Sequence, residues 1–312
     1  MNASPTLYEI RPDGDRLAAS PVWTQSGDGP IAAGTAHLVP IAAADGPNLL
    51  AVSADGSGTV LRVEGKEPYL EPIAGRVDLG GQWDTVRPVS LANIPHVLAY
   101  RRSTGEISVT PVPDGRHATP PFVYQRKHEP GRTLGFDFVE PVTVDGDCFL
   151  LGYRGDTGDV AIHALRILVG SPPGAQPGAP PLAAQPTWIH RWAPDWTRFA
   201  FFSLGGEAYF LKTNTGKLNV NIDHILDDPA AGTVEVGTYL HLDDALDLDR
   251  CQAFTLDGDP HFAAYRADGA TVLYRVRGDC QGWTARARLD APAGATAIVP
   301  LSAGASQFLL FA

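Results

Sequence analysis

A single methionine, three cysteines and no apolar run near the ~18 residues of a spanning helix are the first constraints in this 312-residue chain. The missing run excludes a transmembrane helix. Basic residues are scarce, with 24 Lys and Arg against 35 Asp and Glu, a net charge of −11, and no basic stretch interrupts the balance. A nucleic-acid binder displaces counterions from phosphates with Lys and Arg, so that class is excluded. An anionic membrane surface is disfavoured on the same ground. The opening Met1-Asn-Ala-Ser-Pro-Thr-Leu-Tyr-Glu9 has neither the basic nor the apolar segment of a secretory leader. Cys148, Cys251 and Cys280 are odd in number, far apart and form no Cys-x-x-Cys, so free thiols in a reducing, cytoplasmic setting are expected.

Several catalytic signatures are missing too. His163, His190 and His224 stand alone, with no His-x-x-x-His spacing, so no metal site is expected. Gly-Gly-Gln at 80–82 and Gly-Gly-Glu at 205–207 lack the Lys-Ser/Thr of a phosphate cradle, and no Gly-x-Ser-x-Gly elbow occurs. The acidic stretch His241–Asp249 lacks the central Gly and final Glu of a calcium loop and reads as a solvated loop. No cofactor is expected.

Turn formers are abundant. With 33 Gly and 27 Pro beside 44 % apolar residues, the chain is ordered but turn-rich, which favours many short strands over long helices. Internal repetition supports this. Val89-Ser-Leu-Ala-Asn-Ile-Pro-His-Val-Leu-Ala-Tyr100 is an apolar strand, a polar turn and a second apolar strand. Ile41–Val52, Val142–Tyr153 and Phe254–Tyr265 match it without a gap. Phe202–Leu211 matches with a turn two residues shorter, and Val299–Phe311 with one residue more. The copies begin roughly fifty residues apart, the period of a propeller blade.

Each pair is followed by a Gly turn and a third alternating strand, as in Arg101-Arg-Ser-Thr-Gly105 before Glu-Ile-Ser-Val. A fourth strand completes a four-stranded antiparallel sheet. The sixth copy stops after its second strand, whereas Leu7-Tyr-Glu-Ile-Arg-Pro-Asp-Gly14 resembles the third strand at Ser108–Gly115. Residues 6–36 are therefore expected to complete the last sheet and close the ring, leaving no open edge. The reading is an all-β, six-bladed β-propeller forming one domain over residues 1–312. The Pro-rich segment 170–186 is read as a loop between the third and fourth strands of the third blade.

The lead-in Trp83-Asp-Thr-Val-Arg-Pro-Val89 and the Tyr-x-x-x-Thr-Gly turns at 100–105 and 153–158 resemble the tachylectin-like and related lectin-type propeller repeats of bacteria and fungi. The resemblance spans the chain and implies the fold.

In a propeller the first strand of each blade lines a central channel, so chemistry is sought just before each copy. Five positions before the start stand Ala36, Asp84, Asp137, Thr197, Asp249 and Gly294; four before, His37, Thr85, Phe138, Arg198, Arg250 and Ala295; two before, Val39, Arg87, Glu140, Ala200, Gln252 and Ala297. Trp83, Phe136 and Trp196 stand one residue outside the first set. Asp84, Asp137 and Asp249 recur, which equally suits turn caps that accept backbone N–H groups. Arg87, Glu140 and Gln252 change chemistry between blades and serve no repeated structural need. Glu140, Arg87, His37 and the three aspartates are the candidate catalytic residues, and Trp83, Phe138, Trp196, Arg198, Arg250 and Gln252 the candidate substrate contacts.

Two classes fit: a cofactor-independent acid/base enzyme (cyclase, isomerase, lyase or hydrolase) acting on one small molecule, or a carbohydrate-binding lectin. A protein-interaction scaffold is the third reading. The expected partner is a small-molecule substrate or sugar, not nucleic acid or membrane. His96 and His261, each following a proline, are expected to be structural.

Overall fold

The computed structural model describes residues 4–43, 46–91, 94–112, 135–167, 182–214, 219–228, 233–242 and 246–312. All regular structure among them is β, in six antiparallel sheets arranged as a six-bladed propeller. The chain opens with β1 (Thr6–Asp13) and β2 (Arg16–Thr24). Blade 1 then runs outward through β3 (Thr35–Ala43), β4 (Gly46–Ser53), β5 (Ser57–Val63) and β6 (Leu70–Asp78). Blade 2 is β7 (Thr85–Leu91), β8 (Ile94–Arg101) and β9 (Glu106–Pro111); the fourth strand expected from the repeat lies outside the described residues. Blade 3 is β10 (Phe138–Val144), β11 (Asp147–Tyr153), β12 (Asp159–Ile167) and β13 (Leu182–Arg191). Blade 4 is β14 (Arg198–Leu204), β15 (Glu207–Asn214), β16 (Asn219–Asp228) and β17 (Thr233–Leu242). Blade 5 is β18 (Arg250–Leu256), β19 (Asp259–Tyr265), β20 (Ala270–Val276) and β21 (Trp283–Asp290). Blade 6 joins the two ends of the chain: β22 (Ile298–Ala303), β23 (Ser306–Phe311), then β1 and β2.

Ring closure follows the sequence reading. Leu7 pairs with Leu310 and Glu9 with Phe308, so the first strand of the chain lies third in the last sheet. Apolar burial closes the same circle. Six buried clusters occupy the six interfaces between neighbouring blades, and one of them unites Leu7, Leu49, Leu61 and Leu310 across blades 6 and 1. The second strand of each blade is buried on both faces, and this explains the unbroken runs Leu49–Val52, Val97–Tyr100 and Phe308–Phe311.

Strand register corrects two of the expected copies. Opposite partners in the inner hairpins are Pro40 and Leu49, Pro88 and Val97, Pro141 and Leu150, Phe201 and Phe210, Ala253 and Phe262, Pro300 and Leu309. All six hairpins therefore have one length. The fourth copy is not shortened but runs from Phe202 to Thr213, and the sixth starts at Leu301 rather than Val299. A two-residue slip leaves every side chain on its own face, so hydrophobic alternation cannot detect it. The blade 6 residues in the three lead-in positions become Thr296, Ala297 and Val299. Thr197 and Thr296 now correspond, and both hydroxyls donate to the carbonyl at the end of the partner strand, on Thr213 (3.4 Å) and Ala312 (3.2 Å).

Two loop expectations are also refined. The Pro-rich segment does separate third and fourth strands, but residues 182–186 belong to β13, and residues 168–181 lie outside the described set. The stretch His241–Asp249 is not a wholly solvated loop. Its Leu248 is buried in the cluster between blades 4 and 5.

Turns after the second strand are held tightly. Gly158 and Gly269 have φ of 77° and 97°, and a Cβ on either would collide with the carbonyl of Trp192 or Ala291. Each glycine carbonyl accepts the N–H of that same residue at 2.9 Å, so only glycine fits both demands.

Candidate functional site

The inner strands β3, β7, β10, β14, β18 and β22 surround a cavity of about 400 Å³. It lies along their first halves, so the residues ahead of each copy form its wall. His37, Arg87, Phe138, Glu140, Arg198, Arg250 and Gln252 all line it. Seven of the twelve candidate residues are thus brought together. Phe199, Phe201 and Cys251 line it too and were not singled out from the sequence. Phe201 could have been found from the repeat, because it occupies the position that four other blades fill with proline. Phe138 stacks on Phe199 (4.3 Å) and Phe201 (5.9 Å), forming one apolar wall.

The remaining five candidates lie elsewhere. Asp84, Asp137 and Asp249 cap the turns of their own blades: each Oδ2 accepts a backbone N–H eighteen residues on, from Arg102, Gly155 or Ala267, at 2.7 Å. Their own N–H groups donate to the carbonyls of Tyr100, Tyr153 and Tyr265. Trp83 packs between blades 1 and 2 with the Arg101 guanidinium 4.4 Å above its ring. Trp196 is buried between blades 3 and 4. None of the five lines the cavity.

One ion pair crosses the cavity wall between blades 2 and 3. Arg87 Nε donates to Glu140 Oε2 at 2.6 Å, and Arg87 Nη1 donates to the carbonyl of Val86. The side chains keep 36 % and 21 % of their exposure. Burial raises the Glu140 carboxyl above its ordinary pKa, and the Arg87 charge opposes that rise. Glu140 is the only carboxylate among the described residues that line the cavity, against three arginines.

The basic residues four positions before each copy reach across to the next blade. His37 Nε2 lies 2.9 Å from the carbonyl of Trp83, Arg250 Nε donates to the carbonyl of Ala295 at 3.0 Å, and Arg198 Nε donates to the backbone carbonyl of Asp249. Each ties one blade to the following lead-in. A carbonyl only accepts, so His37 Nε2 carries the proton and Nδ1 is left as a base. Burial holds the His37 pKa below its ordinary value, the Trp83 bond opposes this and the Arg87 charge adds to it. Burial pushes the Cys251 thiol up to about 12, which keeps it protonated and a poor nucleophile. Arg198 also spends Nη1 on Thr197, whereas Arg250 commits only Nε among the described contacts. The arrangement offers a positive, partly dry recess with one carboxylate, one neutral imidazole and an aromatic wall. Among the described residues no cluster of potential metal ligands occurs.

No protein-family model matches the chain, and no curated protein matches its sequence. Solved structures do. A mutant of the Aleuria aurantia lectin in complex with Fucα1-6GlcNAc is similar over 88 % of this chain and 87 % of its own, with a TM-score of 0.54 and 12 % identity. The periplasmic gluconolactonase of Pseudomonas aeruginosa is similar over 93 % and 97 %, with a TM-score of 0.52 and 14 % identity. A candidate 6-phosphogluconolactonase from Bacteroides fragilis covers 97 % of this chain and 88 % of its own, with a TM-score of 0.52 and 14 % identity. The likeness is one of fold. It agrees with the lectin-type propeller repeat seen in the lead-ins and turns.

Proposed function

We propose that this chain is an enzyme performing acid/base chemistry on one small anionic molecule held in the central cavity. The observation that carries the reading is the Arg87–Glu140 pair, a largely buried carboxylate held by one of the three arginines that line the cavity. A substrate anion is drawn in by that excess of positive charge. If it engages Arg87, Glu140 loses part of the charge that stabilises its ionised form, so its pKa rises further and it becomes a better base. Arg250, which commits only Nε among the described contacts, binds the substrate's anionic group, and His37 Nδ1 is the second proton acceptor. Phe138 and Phe201 supply an apolar wall.

Neighbours of this fold include a gluconolactonase, a candidate 6-phosphogluconolactonase and a lectin complexed with a fucose-containing sugar, so phosphorylated sugar lactones and sugar acids, which carry the negative charge the cavity calls for, are the first substrates to screen. Lyase, isomerase and cyclase chemistry on such acids remain within the same proposal. The lectin reading calls for sugar contacts that repeat from blade to blade. The corresponding cavity positions are apolar in three blades (Val39, Ala200 and Val299) and carry three different polar groups in the others (Arg87, Glu140 and Gln252), so no polar sugar contact repeats there, which favours a single site. A screen by ligand-induced thermal stabilisation and turnover tests the proposal. Arg250→Ala is expected to raise KM about 10- to 100-fold while leaving the melting temperature near that of the wild type. An unchanged KM, or binding at one sugar per blade without turnover, contradicts the proposal.

A further inference from the structure

Blade 5 carries a second concentration of positive charge, on its outer strands and away from the cavity. A recess of about 360 Å³ there is lined by Arg275, Arg277, Asp279, Thr284 and Arg286. Arg275 lies in β20 and Arg277 just beyond its end, and both line the recess. Arg275 lies opposite His261 on one neighbouring strand and Thr284 on the other.

A β-bulge aims Arg286 at this group. Leu273 pairs with Ala287 and Tyr274 with Ala285, so Arg286 is the extra residue of β21. The same bulge recurs at Val22, Thr187 and Tyr239 in blades 6, 3 and 4, and each blade presents a different side chain there. Bulges re-aim side chains without altering the sheet beyond them. Burial holds the His261 pKa below its ordinary value, the Asp259 carbonyl bond and charge oppose this, and the charges of Arg275 and Arg286 add to the lowering.

The three guanidiniums are not equally occupied. Arg275 bonds Asp259 at 2.6 Å and Arg277 bonds Asp279 at 2.8 Å. Arg286 makes no ion pair among the described residues, and its Nε is buried without a hydrogen-bond partner. A buried charged donor left unpaired is costly and calls for an acceptor. Arginines on outer strands also guard against edge pairing, but that role needs a solvated charge, as on exposed Arg288, not a buried Nε.

We infer that this recess is an anion site that binds the tetrahedral oxyanion of a phosphate or sulfate group through the Arg286 guanidinium. Arg275 and Arg277 supply further N–H donors around it, and the Thr284 hydroxyl provides a neutral one. The site is independent of the central cavity.

Calorimetric titration with inorganic phosphate, inorganic sulfate and phenyl phosphate at constant ionic strength tests it. The wild type is expected to bind each at one saturable site, and phenyl phosphate binding more tightly than the free ion would identify an ester as the preferred source. Arg286→Ala should weaken binding about ten-fold or more, and Arg288→Ala should leave it unchanged. Arg286→Lys, which keeps the charge and loses the fork, should fall between them and serves if the alanine variant does not fold. Equal weakening by Arg286→Ala and Arg288→Ala would mean diffuse charge attraction, and wild-type binding by Arg286→Ala would place the anion elsewhere. Either result, or no saturable heat, overturns the inference.

Discussion

Histidines illustrate how one residue type divides between structure and chemistry. His96 and His261 occupy the same repeat position, and each Nδ1 bonds the carbonyl two residues back, on Ile94 or Asp259. Both are buried, and burial holds both below the ordinary pKa of 6.5, with the carbonyl bond opposing. Between that depressed value and 6.5 the unfolded chain binds more protons than the folded one. Their contribution to stability is therefore complete above about pH 6.5 and is lost as pH falls below it. The urea midpoint is expected to drop between pH 7 and 5, and to drop less in the His96→Asn, His261→Asn double variant, where the amide keeps the carbonyl bond without titrating. A pH-independent midpoint would contradict this account. The aspartates divide in the same way. Asp84, Asp137 and Asp249 recur in the sequence because a turn recurs, and their capping role was legible from that recurrence. Glu140 does not recur, and its position against Arg87 was foreseeable only once the two residues shared a repeat position in adjacent blades.

Between blades, tyrosines at the end of the second strand act as rivets. Tyr100, Tyr153 and Tyr265 are buried, and their hydroxyls accept the N–H groups of Phe136, Trp196 and Ala295 in the following lead-in. Tyr153 and Tyr265 also donate to the carbonyls of Ala193 and Pro292. Replacing either tyrosine by phenylalanine keeps the ring packing and removes these bonds, which should cost about 1–3 kcal/mol in chemical denaturation. A change below a few tenths of a kcal/mol would show that water replaces the hydroxyl. Strands, turns and the aromatic ending were all legible in the sequence, because alternation and Gly turns report them directly. The inner-hairpin register of blades 4 and 6 was not. In blade 6, Val299 and Leu301 are both apolar and share a face, so only the pairing of Pro300 with Leu309 separates the alternatives. The fourth-strand bulges were equally invisible, since an extra residue leaves no mark in a strand without strict alternation, such as Trp283–Asp290.

At the scale of the whole ring, six near-equivalent blades create one place where equivalence fails. Closure by β1 and β2 leaves six packed interfaces among the described residues, so every blade braces the centre against its two neighbours. Every inner strand contributes to the wall, and the mixture of Arg87, Glu140, Gln252, Arg198, Arg250 and Phe138 breaks the rotational symmetry. Rigid elements position a site more closely than loops do. The sequence alone exposed this asymmetry, but not which lead-in residues face inward; Trp83 and Trp196 turn into the interfaces because large indoles fill the space between sheets. The decisive measurement is kcat/KM of the wild type and of Glu140→Gln on the first substrate the screen identifies, with melting temperatures recorded alongside. The account predicts a loss of about 100-fold or more in kcat with little change in melting temperature. Turnover by Glu140→Gln at the wild-type rate would contradict it.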